Sequence, residues 1–207
     1  MAKLDGPLMS MGASGSIGGI LTFGSNKGRN FVRQLVIPAN PKTPAQQGVR
    51  SNMKFTGQEW AQLSPANKAS WDARAAQTNI SAFAAFSGKS MDNWSNLKAA
   101  QRQDPAEAIT DPVTVPTLIT ATVTERRVQF DWTDPVSVDL FGIVIYLSPT
   151  TGFAPGRDNA VIVIDAAVLT AITATLTPGV WFYRLTAFDV AGNLTTPATA
   201  QGTFTIV

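Results

Sequence analysis

Between Gln103 and Thr117 the apolar residues change from helical spacing to a period of two. That change limits the folds open to the chain. Beyond it lie the β-branched, alternating runs "LITATVTERRVQFDW", "FGIVIYLS", "AVIVIDA", "AITATLT", "VWFYRLTAFD" and "QGTFTIV". Turn signals separate them: "TDP", "SPTTGFAPGRDN", "TPG" and "VAGN". Short strands at this spacing predict a β-sandwich over residues 118–207. Pro105, Pro112 and Pro116 make the intervening stretch a poor helix, so residues 104–117 read as a stiff linker.

Three parts precede the linker. Residues 1–19 are rich in Gly, Ser and Met and read as a flexible arm. Residues 20–103 read as a hairpin plus a helical anchoring domain. "ILTFGSNKGRNFVRQLVI" is two β-prone runs around "GSNKG", which predicts the hairpin. Thr43, Pro44 and Gln46 form a capping box with proline at the first helical position. That helix is expected to reach about Leu63. Ser64-Pro65 starts a second helix, to about Gln77, and "AFAAFSGKSMDNWSNLKAAQ" supplies a third with a break at Gly88. The fold class is therefore α+β: extended arm, hairpin and three helices, then an all-β sandwich.

Met53, Trp60 and Leu63 share a helical stripe flanked by Phe55, and Trp71, Phe83, Phe86 and Trp94 recur at similar intervals. The plain reading is a small helical core. A three-helix unit of this size cannot easily cover so many large aromatics. Some are therefore expected to be exposed in one copy and buried by a partner. Charge is also divided, with net +8 over residues 1–103 and −6 over 104–207. Opposite signs suggest two domains facing different neighbours.

Composition removes several chemistries. At 44% hydrophobic and 14% charged residues the chain is a folded protein, not a disordered one. It has no Cys and no His. No disulfide framework, thiol nucleophile, Ser-His-Asp triad or Cys/His zinc site is possible within it. "GILTFGSNKG" has two glycines at P-loop spacing, but Ser25 stands where the lysine belongs, so a hairpin turn is expected. Asp131, Asp134 and Asp139 lie close in sequence, as paired glycosidase acids can, yet Asp134-Pro135 is ordinary turn chemistry. Asp189 and Asn193 around Gly192 suggest a strand-joining turn ahead of a calcium loop. "EWAQLSPANKASWDARAAQ" is similar to part of an HMG box, but this region has no two adjacent basic residues. Direct DNA binding is not expected. No run is apolar and long enough to cross a membrane, and no secretory signal is expected at the N-terminus.

Two resemblances extend the reading. Residues 112–207 resemble a fibronectin type III domain, through Trp132 in "VQFDWTDP" and "LTPGVWFYRLTAFDVAGN" at Leu176–Asn193. The family usually places a tyrosine two residues after the turn glycine. Here Trp181 stands there, and an indole donates a hydrogen bond but cannot accept one. Residues 15–94 resemble bacteriophage virion structural proteins. The matching features are "RNFVRQLVIPANPKTPAQQGVR", the W-x-x-L-S-x-x-x-K-x-x-W pattern of Trp60, Leu63, Ser64, Lys68 and Trp71, and the pair Phe83 and Phe86.

The second resemblance implies a non-catalytic protein with no cofactor and no metal, located in the virion at the capsid surface. It would be a head decoration or cement protein. Its partners would be other copies of itself and the major capsid protein, or neck and tail proteins. A neck, tail or fibre-attachment role is the alternative, and a carbohydrate- or cell-surface-binding module using Phe153 is a further one. Arg29, Phe31, Arg33, Arg50, Trp60 and Trp71 are the expected anchoring residues. The arginines would pair with carboxylates, and the tryptophans would pack inside or outside the chain.

Overall fold

The computed structural model describes residues 3–4, 13–26, 29–36, 40, 42–133, 135–196 and 201–207. The chain forms two compact units, Met1–Pro41 and Lys42–Val207.

The first unit is an antiparallel meander of β1 (Lys3–Leu4), β2 (Ala13–Ile17), β3 (Leu21–Asn26) and β4 (Arg29–Gln34), in that spatial order. The expected hairpin is β3–β4, in register from Leu21↔Gln34 to Asn26↔Arg29. Residues 1–19 are not simply an arm, because β1 and β2 lie within them. Gly18 and Gly19 both have positive φ in the turn from β2 to β3. The glycines that suggested flexibility serve a tight strand connection.

The second unit begins with α1 (Pro44–Gln62), α2 (Pro65–Thr78) and α3 (Ala82–Ser95). Each start is capped as its sequence dictates. Thr43, Ser64 and Ser81 accept hydrogen bonds from the backbone N–H groups of Gln46, Asn67 and Ala84. Gly88 does not break α3, which passes through it unbroken. One glycine costs a helix only about 1 kcal/mol, and burial of Ala85, Phe86, Ser90 and Trp94 around it holds the helix.

The sandwich follows. β5 (Thr117–Thr124), β6 (Arg127–Thr133) and β9 (Thr170–Ile172) form one sheet, in the order β5-β6-β9. The other is β11-β10-β7-β8, from β7 (Leu140–Ser148), β8 (Ala160–Asp165), β10 (Gly179–Asp189) and β11 (Gly202–Ile206). All pairings are antiparallel. This is the fibronectin III-like sandwich that the second half predicts.

β7 departs from the expected alternation, being buried on both faces along most of its length. Ile143, Ile145 and Leu147 face the sandwich core with Phe130, Leu185 and Phe204. Val144 and Tyr146 join a second core with Phe55, Trp71, Phe86 and Trp94 from the helices. A strand covered on both sides reads as a continuous apolar run, as "FGIVIYLS" does.

The helices therefore cover the outside of the four-stranded sheet. This chain's own sandwich shields Phe55, Trp71, Phe86 and Trp94, while Trp60 and Phe83 stay partly exposed. Phe55 is the centre of the seam. It meets Phe141 and Phe188 edge-on, with ring centroids 5.5 and 5.4 Å apart, a geometry worth about 0.5–1.5 kcal/mol per pair beyond burial. α1 also closes the open edge of β8. The Ser51 hydroxyl donates to the Val163 carbonyl at 3.2 Å and accepts from the Val163 N–H at 2.7 Å. An otherwise exposed strand edge is thereby satisfied. Gly48 permits this approach: a Cβ there would lie 2.4 Å from the Ala160 carbonyl oxygen.

Nor do residues 104–117 separate two domains. The chain leaving α3 is a strap bonded to both sides. Ala99 and Arg102 N–H groups donate to the carbonyls of Gly192 and Val190, each at 2.8 Å. The Trp71 indole donates to the Arg102 carbonyl at 3.3 Å. Arg74–Asp104 and Arg102–Glu107 pair at 3.4 and 2.6 Å. Both ion pairs join the basic half to the acidic half, so the opposite charges face each other within one unit. Asp139 ends the strap, accepting from the backbone N–H groups of Asp111 at 2.7 Å and Thr110 at 2.6 Å. Those donors hold its carboxyl below the usual range.

Two predictions follow from the seam. Gly48→Ala should lower stability by about 1–3 kcal/mol, because backbone must move to admit the methyl. Gly57→Ala, on the same helix with open space around it, should raise stability by about 0.5–1 kcal/mol. Urea unfolding of the two variants reads both signs. The other prediction concerns Glu59, buried on α1. Burial, with hydrogen bonding to Asp165 and its charge, pushes the Glu59 carboxyl up to about 8. The folded state then holds a proton that the unfolded chain releases near pH 4.5. Stability should fall as pH rises from about 4.5 to 8. Glu59→Gln should flatten that decline in pH-dependent unfolding curves.

Candidate interaction surface

The six expected anchoring residues fall into four environments. Phe31 and Arg33 occupy alternate positions of β4, so the strand places both on one face, and the Arg29 side chain lies outside the described residues. Phe31 lies opposite Gly24, with its ring over the glycine: a Cβ at Gly24 would sit 2.7 Å from Phe31 Cζ. The Arg33 guanidinium stands 5.7 Å from the Phe31 ring centroid, a cation–π distance. Phe31 remains 40% exposed. On the opposite face, Leu21 and Val32 pair across from Gln34 and Phe23 and are also exposed. Among the described residues of this unit, no side chain is buried. β4 is an edge strand with no further strand paired to it among the described residues.

Arg50 is exposed on α1, at a shallow depression shared with Val49, Arg157 and Asp158. Trp60 is half-buried. Its ring lies 5.8 Å from Phe83 and 5.6 Å from Phe86, with Lys68 Nζ 5.9 Å from its centroid. Phe83 beside it is 41% exposed. Trp60 and Phe83 thus form the aromatic patch that the helices leave uncovered. Trp71 is fully buried, packed edge-on against Phe86 at 5.3 Å. Its packing partner is inside the chain, so it is a core residue and not a contact for another protein.

Other sequence candidates have structural roles. Phe153 is buried, with the Arg184 guanidinium 5.8 Å from its ring, so it is not an exposed glycan platform. Asp131 accepts from its neighbour Gln129, Asp139 is taken up by the strap, and Asp134 lies outside the described residues. Asp189 accepts from the N–H groups of Ala191 and Asn193 and from the Asn193 amide, which builds the strand-joining turn. At the sheet corner the Trp181 indole donates to the Thr177 carbonyl at 3.0 Å. The indole thus supplies a donor at the corner, as its chemistry allows. No described helix is long and apolar enough to cross a membrane.

The pairing of Phe31 with Gly24 was not legible beforehand, because register across a hairpin is set by its turn. The alternation of Arg29, Phe31 and Arg33 against Val32 was a readable signal for a two-faced strand. Loss of packing should separate the buried candidate from the exposed one. Trp71→Ala should cost about 3–5 kcal/mol, whereas Arg50→Ala should stay within about 0.5 kcal/mol. Thermal unfolding measures both.

No family model matches this sequence, and no curated protein matches it. Solved structures do resemble it. The FN1–FN3 domains of chicken CNTN1 are 16% identical, with 49% of this chain and 34% of that chain covered and a TM-score of 0.41. The fn3 domain of human contactin 1 is 13% identical, with 49% and 85% covered and a TM-score of 0.40. A beta-1,2-glucanase from Parabacteroides distasonis is 19% identical, with 49% and 14% covered and a TM-score of 0.41. The chain spans well under two thirds of the CNTN1 fragment and of the glucanase. The sandwich is defined here by its own strand order and two-sided core; scores at this level add no weight to it.

Proposed function

We propose that this chain is a non-catalytic structural protein of a bacteriophage particle, mounted through its N-terminal sheet as a head decoration or cement protein on the capsid surface. The observation that carries the reading is the exposure of the described side chains of the sheet β1–β4. Its described side chains are all at least partly exposed, including Leu21, Phe31 and Val32. Its edge strand β4 offers free backbone groups. A small sheet of this kind gains stability when another surface supplies the missing layer, and an open edge can take a neighbour's strand through main-chain hydrogen bonds. Arg33 beside Phe31 adds a cation suited to carboxylates. The likeness of residues 15–94 to virion proteins supplies the setting, and repeated weak contacts between copies and the shell would add through avidity.

The rest of the chain is suited to a rigid building block. Its two cores share one strand, and its buried Asp139 and Asp189 bind backbone donors within the fold.

The double variant Phe31→Ala with Arg33→Glu tests the reading. It should reduce cosedimentation with phage capsids at least tenfold. The main unfolding transition should not move, because neither side chain belongs to the buried cores. Unchanged cosedimentation, or none for the unaltered protein, would overturn the proposal. Copy number then fixes the station: on the order of hundreds of copies per particle means the shell, and about a dozen means the neck or tail.

A further inference from the structure

A pocket separate from the N-terminal sheet opens beside the C-terminal end of α3. Its volume is about 110 Å³. Trp94, Leu97, Tyr146, Pro155 and Leu194 give it apolar walls. A cavity of ~150 Å³ holds a benzene ring, so this one suits a single branched aliphatic side chain. It is too small for a drug-sized molecule, whose sites are typically about 300–1,000 Å³.

The charged groups at the mouth of the pocket point to what accompanies that side chain. Thr186 donates to the Tyr146 hydroxyl at 3.5 Å in the same wall. At the rim stand Lys98 and Arg157. Both are exposed, and neither forms an ion pair among the described residues. Two cations flanking an apolar slot favour a carboxylate-bearing ligand.

We infer that the Trp94 pocket is a second binding site, which takes one aliphatic side chain from an acidic peptide segment of a partner protein. The apolar wall receives the side chain, and Lys98 and Arg157 meet the flanking carboxylates of the segment. The site is independent of the N-terminal sheet and stands whether or not the chain belongs to a phage particle.

The test uses ¹⁵N-labelled full-length protein and three capped peptides: Ac-Glu-Glu-Leu-Glu-NH₂, Ac-Glu-Glu-Gly-Glu-NH₂ and Ac-Lys-Lys-Leu-Lys-NH₂. The indole N–H signal of Trp94 is assigned by its loss in Trp94→Phe. The acidic leucine peptide should move that signal saturably. The glycine and lysine peptides should bind at least tenfold more weakly. Lys98→Glu with Arg157→Glu, both on exposed side chains, should weaken the leucine peptide at least tenfold while leaving the melting temperature in place. A Trp94 signal that no peptide moves would overturn the inference. Equal response to the leucine and glycine peptides would do so too, as would stronger binding of a DNA duplex than of the acidic peptide.

Discussion

Everything in the larger unit depends on β7 being covered from both sides. One face builds the sandwich core through Ile143, Ile145 and Leu147. The other receives the helices through Val144 and Tyr146. Each fully buried aliphatic side chain contributes about 1.5–3 kcal/mol, so either layer alone would leave half of this strand's apolar surface in water. The helices and the sandwich are thus complementary parts of one fold. Phe55 and Gly48 set how closely α1 approaches, and the Ser51–Val163 hydrogen bonds fix its position along β8.

The local elements were legible in the residues that start and stop them. Thr43-Pro44 and Ser64-Pro65 announce helices, and the β-branched runs announce strands. The docking of helices on sheet was not, because it depends on contacts far apart in sequence. Its trace was present in "FGIVIYLS", whose lack of polar positions signals cover on both faces. The prolines of residues 104–117 misled for a related reason. Proline removes a backbone donor and excludes helix, but it does not prevent neighbouring residues from bonding to both layers. Among the anchoring candidates, Trp71 could not be told from Trp60 by spacing. Both lie on helical stripes, and only the position of the sheet decides which is enclosed.

The charge division takes a different meaning in this light. A basic first half and an acidic second half suggested separate neighbours. Arg74–Asp104 and Arg102–Glu107 instead join the halves at the strap. Partly exposed ion pairs of this kind contribute little stability, about 0–1 kcal/mol each. Their role is to fix register, while the apolar seam supplies the energy. Lys98, Arg157 and Arg50 are among the cations that form no ion pair among the described residues.

The two units differ in how they satisfy the same requirement. Lys42–Val207 buries most of its aromatic residues against itself, in two cores, and leaves Trp60 and Phe83 partly exposed. The sheet of Met1–Pro41 has strand pairing without a buried side chain among its described residues. Backbone hydrogen bonds add only about 1 kcal/mol each in water, since the unfolded chain makes them with solvent. A sheet that rests on them alone is marginal until a second surface removes water from one face.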